Sequence, residues 1–313
     1  MKIGAGIVVY NPKKERIKAN IEQILNQVDK IYIYINSIKE FELKEYFNSE
    51  KIQYLGNNEN VGLAKAMNEI MEMADKDGME WLMTLDQDSI VPNDIIQSFK
   101  KYVSIENVGI ICPNVIDKRR VYMKADTTSE TSSVDVCITS ASLTRIEAWK
   151  QVDKFDDNLF IDLIDNDFCK KLKLNGWQIL RINKVILDQE FGDIKLKSKK
   201  EVEFILKIAK KIKNKKLAKN FSKLTYKKNV SPMRVYYTNR NVIYLNKKFK
   251  NYNGIGYSNY NCNTYLGFNI CFNLASFIRG KNKMKILKAI HDGKRDGRKL
   301  KANVFKAERI DNV

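Results

Sequence analysis

An α/β fold, with a mixed, mainly parallel sheet flanked by helices and a basic, mainly helical C-terminal region after it, is the architecture this sequence predicts. Three observations lead there. Short apolar runs alternate with helical periodicities through residues 1–190. The 313 residues are 44% hydrophobic and 10% aromatic, enough for a large core. The charge is divided unevenly. Residues 1–190 carry 25 Lys and Arg against 30 Asp and Glu, whereas residues 191–313 carry 31 against 7, giving the net +19.

The elements follow in order. Residues 3–10 read as a β-branched strand, and residues 16–27 as a helix with Ile17, Ile21, Ile24, Leu25 and Val28 on one face. Residues 30–36 form a β-branched and aromatic strand, residues 52–55 a short one. Residues 63–74 set Leu63, Met67, Ile70, Met71 and Ala74 at helical spacing. Trp81 to Leu85 is an apolar strand, residues 108–112 and 134–139 are two more, and residues 164–174 a helix. Beyond about residue 195 the composition shifts: 14 lysines and two glutamates between Lys195 and Lys228, with Phe204, Ile205, Ile208, Ile212 and Leu217 among them, predict a basic amphipathic helix or helix pair. Residues 231–246 follow, aromatic and basic, with Pro232 suited to a first helical turn. The last 35 residues return to Lys/Arg-rich helical patterns. Two domains are expected, 1–194 and 195–313.

Several classes are disfavoured. The five cysteines are scattered without a CxxC pair, so neither a disulfide framework nor a zinc cluster is indicated. The first residues read as a strand and not as a signal peptide. The most apolar late run, Leu266 to Ile278, is 13 residues long and interrupted by Asn269, Asn273 and Ser276, short of the roughly 18 needed to span a bilayer. Gly4 and Gly6 lie inside the first strand without a third glycine, and no P-loop is present. The single histidine, His291, lies in the basic region, which argues against histidine-based triads and multi-histidine metal sites.

Chemistry concentrates in three places. Asp86-Gln87-Asp88 ends the apolar Trp81–Leu85 strand, and near-neighbour carboxylates there suit Mg²⁺ or Mn²⁺ shared with a diphosphate; the bland reading is a loop start before Pro92. Asp162, Asp165 and Asp167 crowd beside Phe160-Ile161 at a helix start, where mutual repulsion and burial suit a general base, although helix N-termini also attract acids. Asn57, Asn58, Asn60 and Gly62 precede a helix carrying Lys65, an arrangement fit for phosphate or for a cap and turn.

Six segments then match one family in order and spacing: Val8-Val9-Tyr10-Asn11-Pro12, residues 60–68, Leu85-Asp86-Gln87-Asp88-Ser89, Ile138-Thr139-Ser140, residues 160–168, and Tyr236-Tyr237 with Arg240-Asn241. The chain resembles the family 2 glycosyltransferases of the GT-A (Rossmann-like) fold, and most the bacterial rhamnosyltransferase-type members. That resemblance implies a donor site formed by Val9, Tyr10, Asn11, Asn36, Asn60, Lys65 and Asp86, with Tyr10 and Asn11 beside the nucleotide base. It implies Asp88 as the main ligand of Mg²⁺ or Mn²⁺, aided by Asp86, and Asp165 as catalytic base with Asp167 as its acidic partner. Two departures stand out. Ile35 precedes Asn36 where the family usually has an aspartate that reads the base, and Gln189 occupies the place of a metal-binding histidine.

The implied partners are a dTDP- or UDP-linked sugar and a saccharide or lipid-linked saccharide acceptor. The basic half adds an anionic membrane surface, since each Lys or Arg near such a leaflet contributes about 1 kcal/mol. The expected location is therefore cytoplasmic, peripheral on the inner face of the membrane, with no nucleic-acid partner. Two alternatives stay open here: a basic nucleic-acid-binding protein and a nucleotidyltransferase, which also uses paired aspartates.

Overall fold

The structure, a computed structural model, describes residues 1–37, 47, 49–120, 122–125, 127–192 and 194–308. The chain divides into two compact units, one made of 1–116, 125–189 and 307–313, the other of 117–124 and 190–306.

The first unit is built on an eight-stranded sheet among the described residues. In chain order its elements are β1 (Ile3–Val9), α1 (Lys14–Leu25), β2 (Lys30–Ile35), β3 (Ile52–Leu55), α2 (Leu63–Lys76), β4 (Trp81–Asp86) and α3 (Ile95–Lys100). There follow β5 (Val108–Ile116), β6 (Thr131–Ser133), β7 (Ser142–Arg145), α4 (Ile146–Gln151), α5 (Ile164–Leu174) and β8 (Gln178–Asp188). The sheet order is β3-β2-β1-β4-β7-β5-β8-β6. Strands β3, β2, β1 and β4 pair in parallel, as do β5 and β8, while β7 runs antiparallel to both β4 and β5.

Alternation explains the layering. Ile3, Ala5, Ile7 and Val9 of β1 share one core with Ile17, Ile21 and Ile24 of α1 and with Trp81, Met83 and Leu85 of β4. The opposite face of β1 carries Gly4 and Gly6, and a Cβ on Gly6 would sit 2.6 Å from Ile70 Cγ2 of α2. Gly6 thus lets α2 pack directly on the sheet, which is a structural use of the glycine pair.

The strand expected at residues 134–139 is absent, and two short strands flank that segment instead. Its backbone has another task. The chain leaves edge strand β6 after Val134 N–H donates to the Ile179 carbonyl (3.0 Å), then must cross to the slot between β4 and β5. Ala141, at φ 58° and fully buried, turns it into β7. Alternating Val134, Val136 and Ile138 imitate a strand, but Val136 ends 39% exposed.

The second unit pairs β9 (Ile194–Leu196) with β10 (Tyr226–Lys228) in an antiparallel ribbon. The lysine-rich stretch forms α6 (Lys199–Lys211), closed by a Ser198/Glu201 capping box, and α7 (Lys215–Ser222), capped by Asn214. Helix α8 (Pro232–Lys248) starts with Pro232 in its first turn and packs along α11 (Lys283–Lys299). Between them lie α9 (Tyr265–Phe268), a π-helical segment at Asn269–Leu274 and α10 (Ala275–Arg279), continuous in the chain. Among the described residues, no helix is long and apolar enough to cross a membrane.

Candidate active site

The crossovers from β1 run one way to β2 and β3, and β4 lies on the other side of β1, so the sheet reverses its winding between β1 and β4. Ligands bind outside the C-terminal strand ends at such a switch point. Tyr10 follows β1 and Asp86 closes β4, so the two loops meet there. Tyr10 N–H donates to Gln87 Oε1 (2.7 Å), and Gln87 Nε2 donates back to the Tyr10 carbonyl (3.1 Å). Tyr10 itself is 49% exposed, Asn11 stands at φ 42°, and the Val9 side chain is buried in the core, so Val9 meets the opening through its backbone alone.

Beneath this bridge, Asp86 belongs to a closed ring of hydrogen bonds. Its N–H donates to Ser140 Oγ (3.1 Å), Ser140 and Ser89 hydroxyls lie 2.6 Å apart, Ser89 Oγ donates to Gln189 Oε1 (2.5 Å), and Gln189 Nε2 donates to Asp86 Oδ2 (3.3 Å). A serine has one proton to give. Ser89 gives its own to Gln189, so Ser140 donates to Ser89 and every step runs in one direction. An ionised carboxylate only accepts, which turns the Gln189 amide nitrogen toward Asp86 and commits its oxygen to Ser89. Buried Asn20 of α1 also donates to the Asp86 carbonyl (2.7 Å). The sequence motifs contain Ser89 and Ser140, but their linkage to Gln189, 100 and 49 positions away, is visible only in three dimensions.

Asn36 is buried and engaged with the neighbouring loop. Its Oδ1 accepts from Val61 N–H (2.9 Å), and its own N–H donates to the Val9 carbonyl (2.8 Å). Asn60 Oδ1 accepts from Gly62 N–H (3.1 Å). Gly62, at φ 86°, caps α2, and a Cβ there would lie 2.7 Å from the Phe160 ring. Leu63 N–H donates to the Phe160 carbonyl (2.7 Å), so the start of α2 and the approach to α5 are tied together. Lys65 is exposed on the first turn of α2. Asn68, by contrast, is structural: it bonds Trp149 Nε1 and Phe155 N–H.

Asp162 (φ 67°) and Leu163 (φ 64°) are consecutive left-handed residues, a costly conformation that reorients the chain into α5. Asp165 follows in the first turn. Burial pushes its carboxyl up to about 7, opposed by the Asn166 N–H that it accepts and reinforced by Cys137 and Asp162. It shares a small cavity wall with Thr84 and Thr139, the first two residues before Asp86 and the second beside Ser140. Asp167 points into the protein, fully buried, with the equally buried Lys171 ammonium 3.8 Å away. Cys112, Cys137 and Cys169, distant in sequence, converge behind Asp165, with Cys137 and Cys169 sulfurs 3.8 Å apart. No spacing rule could have found that cluster.

Among the described residues there is no group of three or more His, Cys, Asp or Glu that could hold a metal ion. Asp88 is exposed on the loop after β4 and, among the described residues, makes no hydrogen bond or ion pair. One exposed carboxylate with half-buried Asp86 nearby does not make a protein cage, but it fits a hard divalent ion that takes its remaining oxygens from phosphate and water. Gln189 Oε1 is already taken by Ser89.

A mainly parallel sheet with a switch-point crevice, an acidic strand end and a carboxyl pushed by burial up to about 7 make up the candidate site. Comparison makes the assignment specific. Residues 5–132 match glycosyl transferase family 2. The dTDP-rhamnosyl transferase RfbF of Shigella flexneri is 26% identical, over 62% of this chain and 71% of that protein. Among solved structures, GalNAc-T7 with UDP, GalNAc and Mn²⁺ superposes with a TM-score of 0.52 at 12% identity, covering 61% of this chain, which spans 44% of that longer one. TarS of S. aureus in complex with UDP-GlcNAc gives a TM-score of 0.50 at 14% identity, covering 71% and 70% of the two chains. These structural likenesses establish the GT-A fold. The chain is thus a glycosyltransferase whose residues 5–132 match glycosyl transferase family 2, and it is similar to a dTDP-rhamnosyl transferase.

Proposed function

We propose that the protein is an inverting glycosyltransferase of cell-surface polysaccharide synthesis, moving a sugar from a dTDP- or UDP-linked donor to a hydroxyl of a saccharide, lipid-linked acceptor. The likeness to a dTDP-rhamnosyl transferase favours rhamnose. In this reading residues 1–194 bind donor and catalyse, and residues 195–313 associate with the acceptor and an anionic membrane face inside the cell. The basic charge of the second region supports that division.

The observation that carries the reading is Asp165, a carboxyl lifted to about 7 in the wall it shares with Thr84 and Thr139. Asp165 accepts the acceptor hydroxyl proton as that oxygen attacks the anomeric carbon; the bond to the diphosphate breaks and the nucleoside diphosphate leaves. Tyr10 and Asn11 flank the base, with Asn36 and Asn60 holding the loop that brings Lys65 toward the phosphates. Asp88, with Asp86 oriented by Gln189, would hold Mg²⁺ or Mn²⁺. Such an ion supplies charge neutralisation on the leaving diphosphate. The UDP and Mn²⁺ recorded with GalNAc-T7, and GDP-Man and Mn²⁺ with a Pyrobaculum calidifontis mannosyltransferase, support that use. Asp167 positions α5 through Lys171.

The test is transfer by Asp165→Asn with a panel of nucleotide sugars. General-base loss removes about 10²–10⁴-fold of the rate while nucleotide binding persists. Near-wild-type turnover would sink the assignment, and release of pyrophosphate instead of nucleoside diphosphate would redirect it to nucleotidyl transfer.

A further inference from the structure

No aspartate or glutamate occurs between Glu203 and Asp292, while lysines and arginines are frequent up to Lys250 and again from Arg279 onward. Inside this acid-free stretch, the run from α9 through the π segment to α10 exposes large apolar side chains in register: Leu266 (71%), Ile270 (54%), Leu274 (50%) and Ile278 (63%). Met284 (74%) and Leu287 (45%) follow on α11. A spacing of four overshoots an α-helical turn by about 40°, so four such residues would drift well around a regular helix. The π segment Asn269–Leu274 has more residues per turn and rotates the pattern back. The stripe therefore stays on one face.

The opposite face is fixed. Buried Asn273 exchanges two hydrogen bonds with buried Asn239 of α8 (2.8 and 2.9 Å), and Phe268 is fully buried against Tyr260 and Phe272. The helix cannot roll its apolar side inward without breaking that pair. At the end of the stripe stand the exposed lysines Lys281, Lys283, Lys285 and Lys288, and Lys283 also caps α10 through the Phe277 carbonyl (2.7 Å).

We propose that the α9–π–α10 stripe, with Met284 and Leu287, is a monolayer-inserting surface for an anionic lipid bilayer, its apolar side chains entering the acyl boundary while the lysines meet headgroup phosphates. This rests on the membrane reading above and assigns it to a particular face. The charge selects the occupant. The same face of a second copy carries no carboxylate to meet the four lysines, and a nucleic acid offers nothing to cover leucine and isoleucine, whereas an anionic leaflet complements both features.

The full-length protein is tested by co-sedimentation with phosphatidylcholine vesicles, with and without about one-third phosphatidylglycerol. Binding is expected to the anionic vesicles, with Ile270→Ser/Leu274→Ser lowering the partition coefficient by roughly tenfold or more and Lys281→Gln by about fivefold. These side chains are exposed, so the thermal transition should not move; donor-nucleotide binding, measured separately, reports on the catalytic reading alone. Binding to anionic vesicles that ignores Ile270→Ser/Leu274→Ser overturns the insertion, as does no binding to either vesicle. Concentration-dependent dimerisation abolished by Leu274→Ser would assign the face to a second copy instead.

Discussion

Asp165 shows at the scale of one residue how position creates chemistry. An ordinary carboxyl titrates near 4, so between roughly pH 4 and 7 the folded state keeps a proton that the unfolded chain has released. Two outcomes follow. Turnover should climb through about pH 7 as Asp165 becomes a base, a profile read from kcat against pH. Stability should fall over the same window, so Asp165→Asn should melt higher than wild type at pH 8, by about 2–4 °C per kcal/mol relieved, and hardly differ at pH 4. A variant that is both dead and stabilised would be the mark of a strained catalytic group. Ser89→Ala makes the complementary test, because it leaves buried Gln189 Oε1 without its donor. It should cost about 1–3 kcal/mol in denaturant unfolding and raise the donor KM through a misdirected Asp86.

Elements divide into those that periodicity reveals and those that only the sheet as a whole explains. The helix expected at residues 16–27 is legible because it buries one regular face, and the strands at 3–10, 30–36 and 81–85 because they are near-continuous apolar runs buried on both faces of the sheet. Residues 134–139 alternate as well as any strand, but they are spent as a crossing, and β7 is too short and polar to announce itself. The site follows the same division. Asp86, Asp88 and Asp165 stand out as candidates because they sit at strand or helix ends, whereas the Gln189 linkage and the cysteine cluster depend on long-range convergence. The start of α2 is the element that ties the loop after β2 to the approach to α5. Gly62→Ala should therefore strain a left-handed cap and press on Phe160, lowering stability by about 1–3 kcal/mol and donor affinity with it. Unchanged calorimetry and binding would detach the two loops.

For the whole molecule, ligand binding and stability are one ledger. A nucleoside diphosphate with Mn²⁺ at about 100 times its Kd should add roughly 2.7 kcal/mol to unfolding, and Asp88→Ala should lose the Mn²⁺-dependent share while keeping the rest. Thermal shift with and without chelator separates them. The insertion of antiparallel β7 between β4 and β5 has its own consequence for how the protein comes into being. During synthesis β4 emerges with one edge unpaired, and its partner, Ser142–Arg145, is specified far later in the chain. Until then a ribosome-bound fragment displays a hydrophobic strand with open amides and carbonyls, the very template that invites mispairing with another nascent chain. Slowing translation across residues 87–141 is therefore expected to lower the native yield, read as soluble protein recovered from matched messages.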